Sequence, residues 1–183
     1  MAKVNKRNND VVKTIEVMRS VGFTKPTLIQ LALTYEFGDT GFTIAEVSES
    51  FNVSPSKLNY SVGALIQKGL LDADNGEVFL SDKGKQMHAD LPKWARMSYR
   101  LFTLIKVKST PLSYMAILVE IARSKTATYK SIAENTSMKY NRCYVSIETL
   151  SKLKYVEIYS TTKGDTFRLT RAGKSIFTLL SSF

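Results

Sequence analysis

The sequence predicts a mostly α fold with small β-ribbons, of the α+β class, in which one helix–helix–ribbon unit is built twice. Three observations carry that expectation. Residues 43–84 run through apolar patterns in the order short helix, turn, longer helix, two short strands, helix. Residues 128–173 repeat this order with matching apolar positions. Capping and tight-turn residues fall at the junctions between the patterns.

Residues 1–9 are polar and basic and are expected to lack structure in isolation. Asp10 is placed to cap a helix over residues 11–21, with Val11, Ile15, Met18 and Val21 apolar and Gly22 ending it. Thr24, Lys25 and Pro26 open a second helix over residues 27–37, apolar nearly all round and so expected to be buried. Residues 38–41 make a turn. Thr43 and Glu46 have capping-box spacing, which starts a helix at Ile44 that ends near Phe51. After the tight turn at Asn52 and Val53, Ser54 is an N-cap and Pro55 suits the first helical position. Leu58, Val62, Leu65 and Ile66 then share one face, and Gly69 ends that helix. Leu70–Leu71 and Val78–Phe79–Leu80 are short strands around the turn Asp74-Asn75-Gly76. Ser81 caps a helix to about Asp90, and Pro92 interrupts it.

Residues 93–108 read as a connecting helix with the apolar stripe Trp94, Met97, Leu101, Leu104 and Ile105, while Lys93, Arg96 and Arg100 lie on another face. Three uses are open for it. The stripe packs on the two domains and the cations are solvated; the stripe is a homodimer seam; or Arg96 and Arg100 form a phosphate-facing strip. Ser109, Thr110 and Pro111 start the next helix, and residues 171–183 form the closing one.

The second unit matches the first at a constant offset of 85: Thr43 with Thr128, Val47 with Ile132, Val53 with Met138, Leu58 with Cys143, Val62 with Ile147, Leu65 with Leu150. Beyond the ribbon turn the offset is 89, matching Leu80 with Leu169, Ser81 with Thr170 and Gly84 with Gly173. The four additional residues lie between the two strands. Apolar positions recur and exposed ones do not. The expected organisation is a basic arm and helix over 1–26, one unit over 27–92, a basic connector over 93–110 and a second unit over 111–183.

The net charge of +10 is unevenly spread. Residues 1–26 carry six Lys/Arg and two acids, residues 27–92 four and nine, residues 93–111 five and none, and residues 112–183 eleven and five. A phosphate-binding protein concentrates positive charge on its contact surface, and the acidic first unit alone does not. No apolar run reaches transmembrane length and the N-terminus lacks an apolar signal core, so no membrane partner is expected. The expected location is the cytoplasm: the nucleoid, or a host cell if the chain is phage- or plasmid-encoded. Cys143, the single cysteine, falls on the buried Leu58 position and is expected to be a core thiol, with redox sensing as the alternative. His88, the single histidine, is expected on an exposed helix face as a solvated residue. Neither metal-ligand spacing nor a glycine-rich phosphate loop occurs, and no base is placed beside the serines, so no enzyme activity, cofactor or metal is expected.

A short helix, a turn, a longer helix and a β-ribbon make a winged helix-turn-helix. The segments VSPSKLNYSVGALIQKGLL and VFLSDKGK resemble the winged-helix superfamily, MarR-type regulators especially; LSDKGK and LTRAGK are similar to that group's strand-to-helix junction after the wing. The resemblance covers roughly residues 27–90 and 111–183. It implies tandem winged helix-turn-helix domains joined by a connecting helix, and winged helices also serve as protein-interaction modules.

In the DNA-binding members the second helix of the unit enters the major groove. That implies Ser56, Lys57, Asn59 and Tyr60 as DNA-facing residues in the first unit. In the second it implies Asn141, Arg142 and Tyr144, with Lys139 and Tyr140 at the helix entrance. Arginine suits guanine, asparagine suits adenine, and lysine or tyrosine suits a phosphate. The plain alternative is that these positions are polar because they are exposed. The first wing carries Asp72, Asp74 and Glu77, which phosphates repel; the second offers Lys163 and Arg168. Glu148 on the second reading helix either accepts from a cytosine amino group or points away. The expected function is sequence-specific double-stranded DNA binding as a transcriptional regulator. The alternatives are a protein-interaction adaptor acting through the acidic first unit, and a plasmid- or phage-type replication or partition initiator.

Overall fold

The computed structural model describes residues 9–38, 40–105, 110–124, 126–162 and 164–181. It is mostly helical with two small antiparallel sheets. The chain divides into two compact units, one over Thr14–Pro111 and the other over Leu112–Phe183 with the chain start through Lys13.

In the first unit, α2 (Leu28–Glu36) is the helix around which the others pack. Thr27 caps it in a capping box with Gln30, within one residue of the expected start. Its residues from Leu28 to Thr34 are all buried, as an all-round apolar helix requires. Around it lie α3 (Ile44–Phe51), α4 (Pro55–Gln67), a ribbon of β2 (Leu71–Asp74) and β3 (Glu77–Leu80), and α5 (Asp82–Asp90). The Thr43–Glu46 box forms as its spacing predicts: the Thr43 N–H donates to Glu46 Oε2 at 2.7 Å, and the Glu46 N–H to Thr43 Oγ1 at 3.2 Å. Asn75 and Gly76, both at positive φ, make the two-residue turn whose twist suits a hairpin. A strand absent from the sequence reading, β1 (Phe42–Thr43), adds to the far edge of β3 and gives the order β1-β3-β2. Two residues are too few for period-2 alternation to register.

Three expectations fail in this unit. Ile66 does not share the buried face of Leu58, Val62 and Leu65; it is 38% exposed. The connecting helix is not continuous. A 3-10 turn over Lys93–Met97 leads into a separate short helix, α6 (Ser98–Leu104), and both pack on α2. Of the apolar stripe, Trp94, Leu101 and Ile105 are buried and Met97 is half-buried. Phe51 meets Phe102 and Tyr99 at ring distances of 5.2 and 5.0 Å, closing the core between α3 and α6. His88 is not solvated: it stacks on Tyr35 at 3.9 Å, and its Nε2 lies 3.0 Å from Thr34 Oγ1. Burial first, then the nearby Arg96 guanidinium, lowers its pKa to about 4. Burial likewise raises Tyr35 to about 12.

Helix α1 (Asp10–Ser20) is capped by Asn9 rather than Asp10, through Asn9 Oδ1 and the Val11 N–H at 3.1 Å. In the second unit Asn9 Nδ2 also donates to the Ala116 carbonyl at 3.2 Å. There α7 (Leu112–Arg123) plays the part of α2, with seven buried residues from Leu112 to Ile121. Packed on it are α8 (Tyr129–Asn135), α9 (Tyr140–Lys152), the ribbon of β4 (Val156–Thr161) and β5 (Gly164–Leu169), and α10 (Arg171–Ser181).

The repeat holds down to single atoms. Asn52 and Ser137, offset by 85, take the left-handed turn conformation, and so do Gly69 and Lys154. Ser81 Oγ donates to the Gly69 carbonyl at 2.6 Å and accepts from the Gly84 N–H at 3.0 Å. Thr170 Oγ1 does the same with the Lys154 carbonyl at 2.7 Å and the Gly173 N–H at 3.1 Å. A Cβ at Gly84 would lie 2.4 Å from the Leu70 carbonyl oxygen, and one at Gly173 2.2 Å from that of Tyr155, so both positions need glycine for a close backbone approach. The four additional residues of the second unit lengthen each ribbon strand by two, keeping Val156 opposite Leu169 as Leu71 is opposite Leu80. Among the described residues no helix is long and apolar enough to cross a membrane.

Candidate nucleic-acid interface

Helix α9 is amphipathic by construction. Cys143, Ser146, Ile147 and Leu150 are buried, and 3.6 residues per turn put Asn141, Val145 and Glu148 on the opposite side. Lys139 is the N-cap residue and stands exposed at the helix entrance. Lys139, Asn141 and Arg142 are exposed, as are Tyr140 at 54% and Tyr144 at 46%. The five α9 residues singled out from the sequence therefore come together at one helix start.

That start is braced by an aromatic cluster that the sequence reading missed. Tyr129 is buried at the beginning of α8. Its ring lies 5.1 Å from Tyr144, 6.2 Å from Tyr140 and 4.6 Å from Phe167 of β5. Tyr129 thus fixes α9 against the ribbon. Its hydroxyl donates to Glu148 Oε1 at 3.1 Å. Burial, and then that hydrogen bond, raises the Tyr129 pKa, so the phenol stays a donor at neutral pH. Glu148 is held through one oxygen and is half-buried. Val145 was also missed. It is 61% exposed on the outward side of α9, an apolar residue of the type that meets a thymine methyl. Exposed apolar residues are common singly, so only its placement among Asn141 and Glu148 marks it.

Cys143 sits beneath this face. Its thiol lies 3.7 Å from the Tyr129 carbonyl, and burial raises its pKa to about 11. A thiol so placed is not a ready thiolate at neutral pH, which favours the core role over the redox alternative.

The ribbon carries mixed charge. Arg168 stacks over the Tyr159 ring at 5.1 Å and faces Glu157 across the strands. The Tyr159 hydroxyl donates to Glu157, and Ser160 Oγ to Asp165 Oδ1 at 2.8 Å. Arg168 is therefore restrained before any ligand arrives. Lys163 lies outside the described residues.

In the first unit Ser56, Lys57, Asn59 and Tyr60 are exposed on α4, Tyr60 at 81%. The offset of 85 places Ser56 where α9 has Asn141, Lys57 where it has Arg142, and Tyr60 where it has Val145. Asp72, Asp74 and Glu77 are all exposed on the ribbon. Arg96 and Arg100 are exposed but stand on the 3-10 turn and α6, not on α4, and Arg96 sits close enough to Tyr35 and His88 to act on both electrostatically. The structure does not gather them with the α4 residues into one helix face.

Counting charge by structural unit changes the picture drawn from the sequence. Residues 14–111 hold eleven Lys/Arg and ten acids, close to neutral, because the cationic connector folds into the first unit. Residues 1–13 and 112–183 hold fifteen and six, a net +9. Among the described residues no His/Cys/Asp/Glu group is placed to hold a metal ion. Compared with known proteins, the chain matches no family model and no curated protein.

Proposed function

We propose that this chain is a sequence-specific double-stranded DNA-binding protein, made of two tandem winged helix-turn-helix domains and acting as a transcriptional regulator without catalysis. The observation that carries the proposal is α9: its outward side presents Lys139, Asn141, Arg142 and Val145 on a helix whose inner side is core. Cations there meet phosphates, while Arg142 and Asn141 match the edges of guanine and adenine. The net +9 of the second unit supports it, since phosphate neutralisation supplies most of non-specific affinity. The repeated cap, left-handed turn and ribbon junction support the tandem reading.

The test is binding of the full chain to a random-sequence duplex across a salt series, followed by selection from a random pool. Affinity should fall linearly with the logarithm of salt concentration, and the pool should converge on a common site. Absence of duplex binding at about 50 mM salt would end this reading. Where the selected sites fall, at promoters or at an origin, separates regulation from replication initiation.

A protein-interaction role for the first unit is favoured by one observation. Helix α4 presents Tyr60 at 81% exposure beside an uncovered Gly63, and Lys57 is its sole exposed cation among the described residues. An aromatic anchor with an acidic ribbon in the same unit suits a basic protein partner better than a phosphate backbone.

A further inference from the structure

We infer that Glu148 is a base-selecting residue that reads a cytosine, and that Tyr129 positions it; the inference rests on the DNA-binding reading of α9. Asn141, Val145 and Glu148 are spaced four and then three residues apart, so they form one outward strip along the helix. A carboxylate at the flank of such a helix would be driven off by phosphates. Glu148 closes that strip one turn beyond Val145, between the two flanks of the helix, where a carboxylate meets base edges instead.

The chemistry of the base edges then decides which base it meets. A carboxylate only accepts hydrogen bonds. In the major groove guanine shows two acceptors, and thymine an acceptor and a methyl. Adenine shows a donor beside an acceptor, whose lone pair repels the second carboxylate oxygen. Cytosine shows its amino donor alone, and so is the base that a carboxylate does not oppose.

The structure supplies the positioning. The Tyr129 hydroxyl holds Glu148 Oε1 at 3.1 Å and leaves Oε2 to accept from the base. Tyr129 is itself fixed by Tyr140, Tyr144 and Phe167. Glu148 is thereby placed before DNA arrives and gives up little side-chain freedom on binding. Gly63 stands at the matching position of α4, so the first unit has no such reader.

The experiment selects duplexes from a random pool with the full chain, then measures affinity for the best site and for its three single-base variants at each position. Wild type should prefer cytosine at one position by roughly 10-fold. Glu148→Gln should lose that preference and keep the others, because an amide both donates and accepts. Tyr129→Phe should weaken preference at the same position only, since it keeps the ring and removes the hydroxyl. A purely structural Tyr129–Glu148 pair would not move the preference at a single base. If Glu148→Gln retains the wild-type preference at every position, or if wild type shows no cytosine preference, the inference is overturned while DNA binding stands. A wild type that binds no duplex at low salt overturns both.

Discussion

Helices α4 and α9 are each 13 residues long and bury matched residues, Leu58 with Cys143, Val62 with Ile147, Leu65 with Leu150 and Ser61 with Ser146. On their outward sides Ser56, Tyr60 and Gly63 stand where α9 has Asn141, Val145 and Glu148. The ribbons differ in the same way. The first is short, with Asp72, Asp74 and Glu77 exposed, while the second is two residue pairs longer and carries Arg168 stacked on Tyr159. The two helices match at the positions that set their packing and differ at those that face outward. A core position is bound by volume and by the absence of unpaired polar atoms; a solvent-facing one is bound by neither.

The largest test of the shared scaffold is its core. Leu65→Ala and Leu150→Ala should each destabilise by about 2–5 kcal/mol, since both side chains are essentially fully buried. Denaturant unfolding checks this, and a loss below about 0.5 kcal/mol at either position would contradict the common register.

The surfaces should part next. Arg142→Ala should cost about 1–3 kcal/mol of DNA affinity and relax preference at one base. Lys57→Ala, its counterpart in the first unit, should change affinity less. Equal losses, measured by anisotropy titration, would restore two equivalent DNA-reading heads.

A pH difference separates the units as well. His88 has Phe177 as its counterpart at the offset of 89. The folded pKa of His88 is lowered to about 4 from 6.5. Between those values the unfolded chain takes up a proton that the folded unit refuses, so stability falls as pH drops from 6.5 towards 4. Partial solvent access discounts the effect to about 1–2 kcal/mol. His88→Phe should flatten this slope in thermal melts; an unchanged slope would place the titration elsewhere.

The matched left-handed positions give a smaller effect of opposite sign. Gly69→Ala should destabilise and Lys154→Gly should stabilise, each by about 1 kcal/mol, because only glycine takes φ of 69° or 61° without strain. The smallest expected change is at the first ribbon. Replacing Asp72, Asp74 and Glu77 together by Asn, Asn and Gln should leave DNA affinity within about 0.5 kcal/mol if that ribbon stays off the duplex, even where low salt lengthens electrostatic reach. A clear gain at low salt would bring it onto the DNA.

The sequence by itself determined the features that depend on near neighbours. The capping box at Thr43, Pro55 at a helix start, the Asn75-Gly76 turn and the buried stripes of α4 and α9 each rest on residues within a few positions of one another. Their energetics are local, and the repeat made them legible twice. The tertiary structure alone decided what depends on residues far apart in the chain. The stack of His88 on Tyr35 spans 53 positions, and the Tyr129–Glu148 bond spans 19. β1 pairs across more than 30 positions. The connector was predicted as one helix because its apolar spacing fits one. Burial of Trp94 and Ala95 against α2 goes instead with a 3-10 turn and a separate α6. That packing carries the connector's cations into the first unit and makes it nearly neutral, which no count along the chain can reveal: periodicity records which residues seek burial, and only the folded chain fixes the partner that buries them.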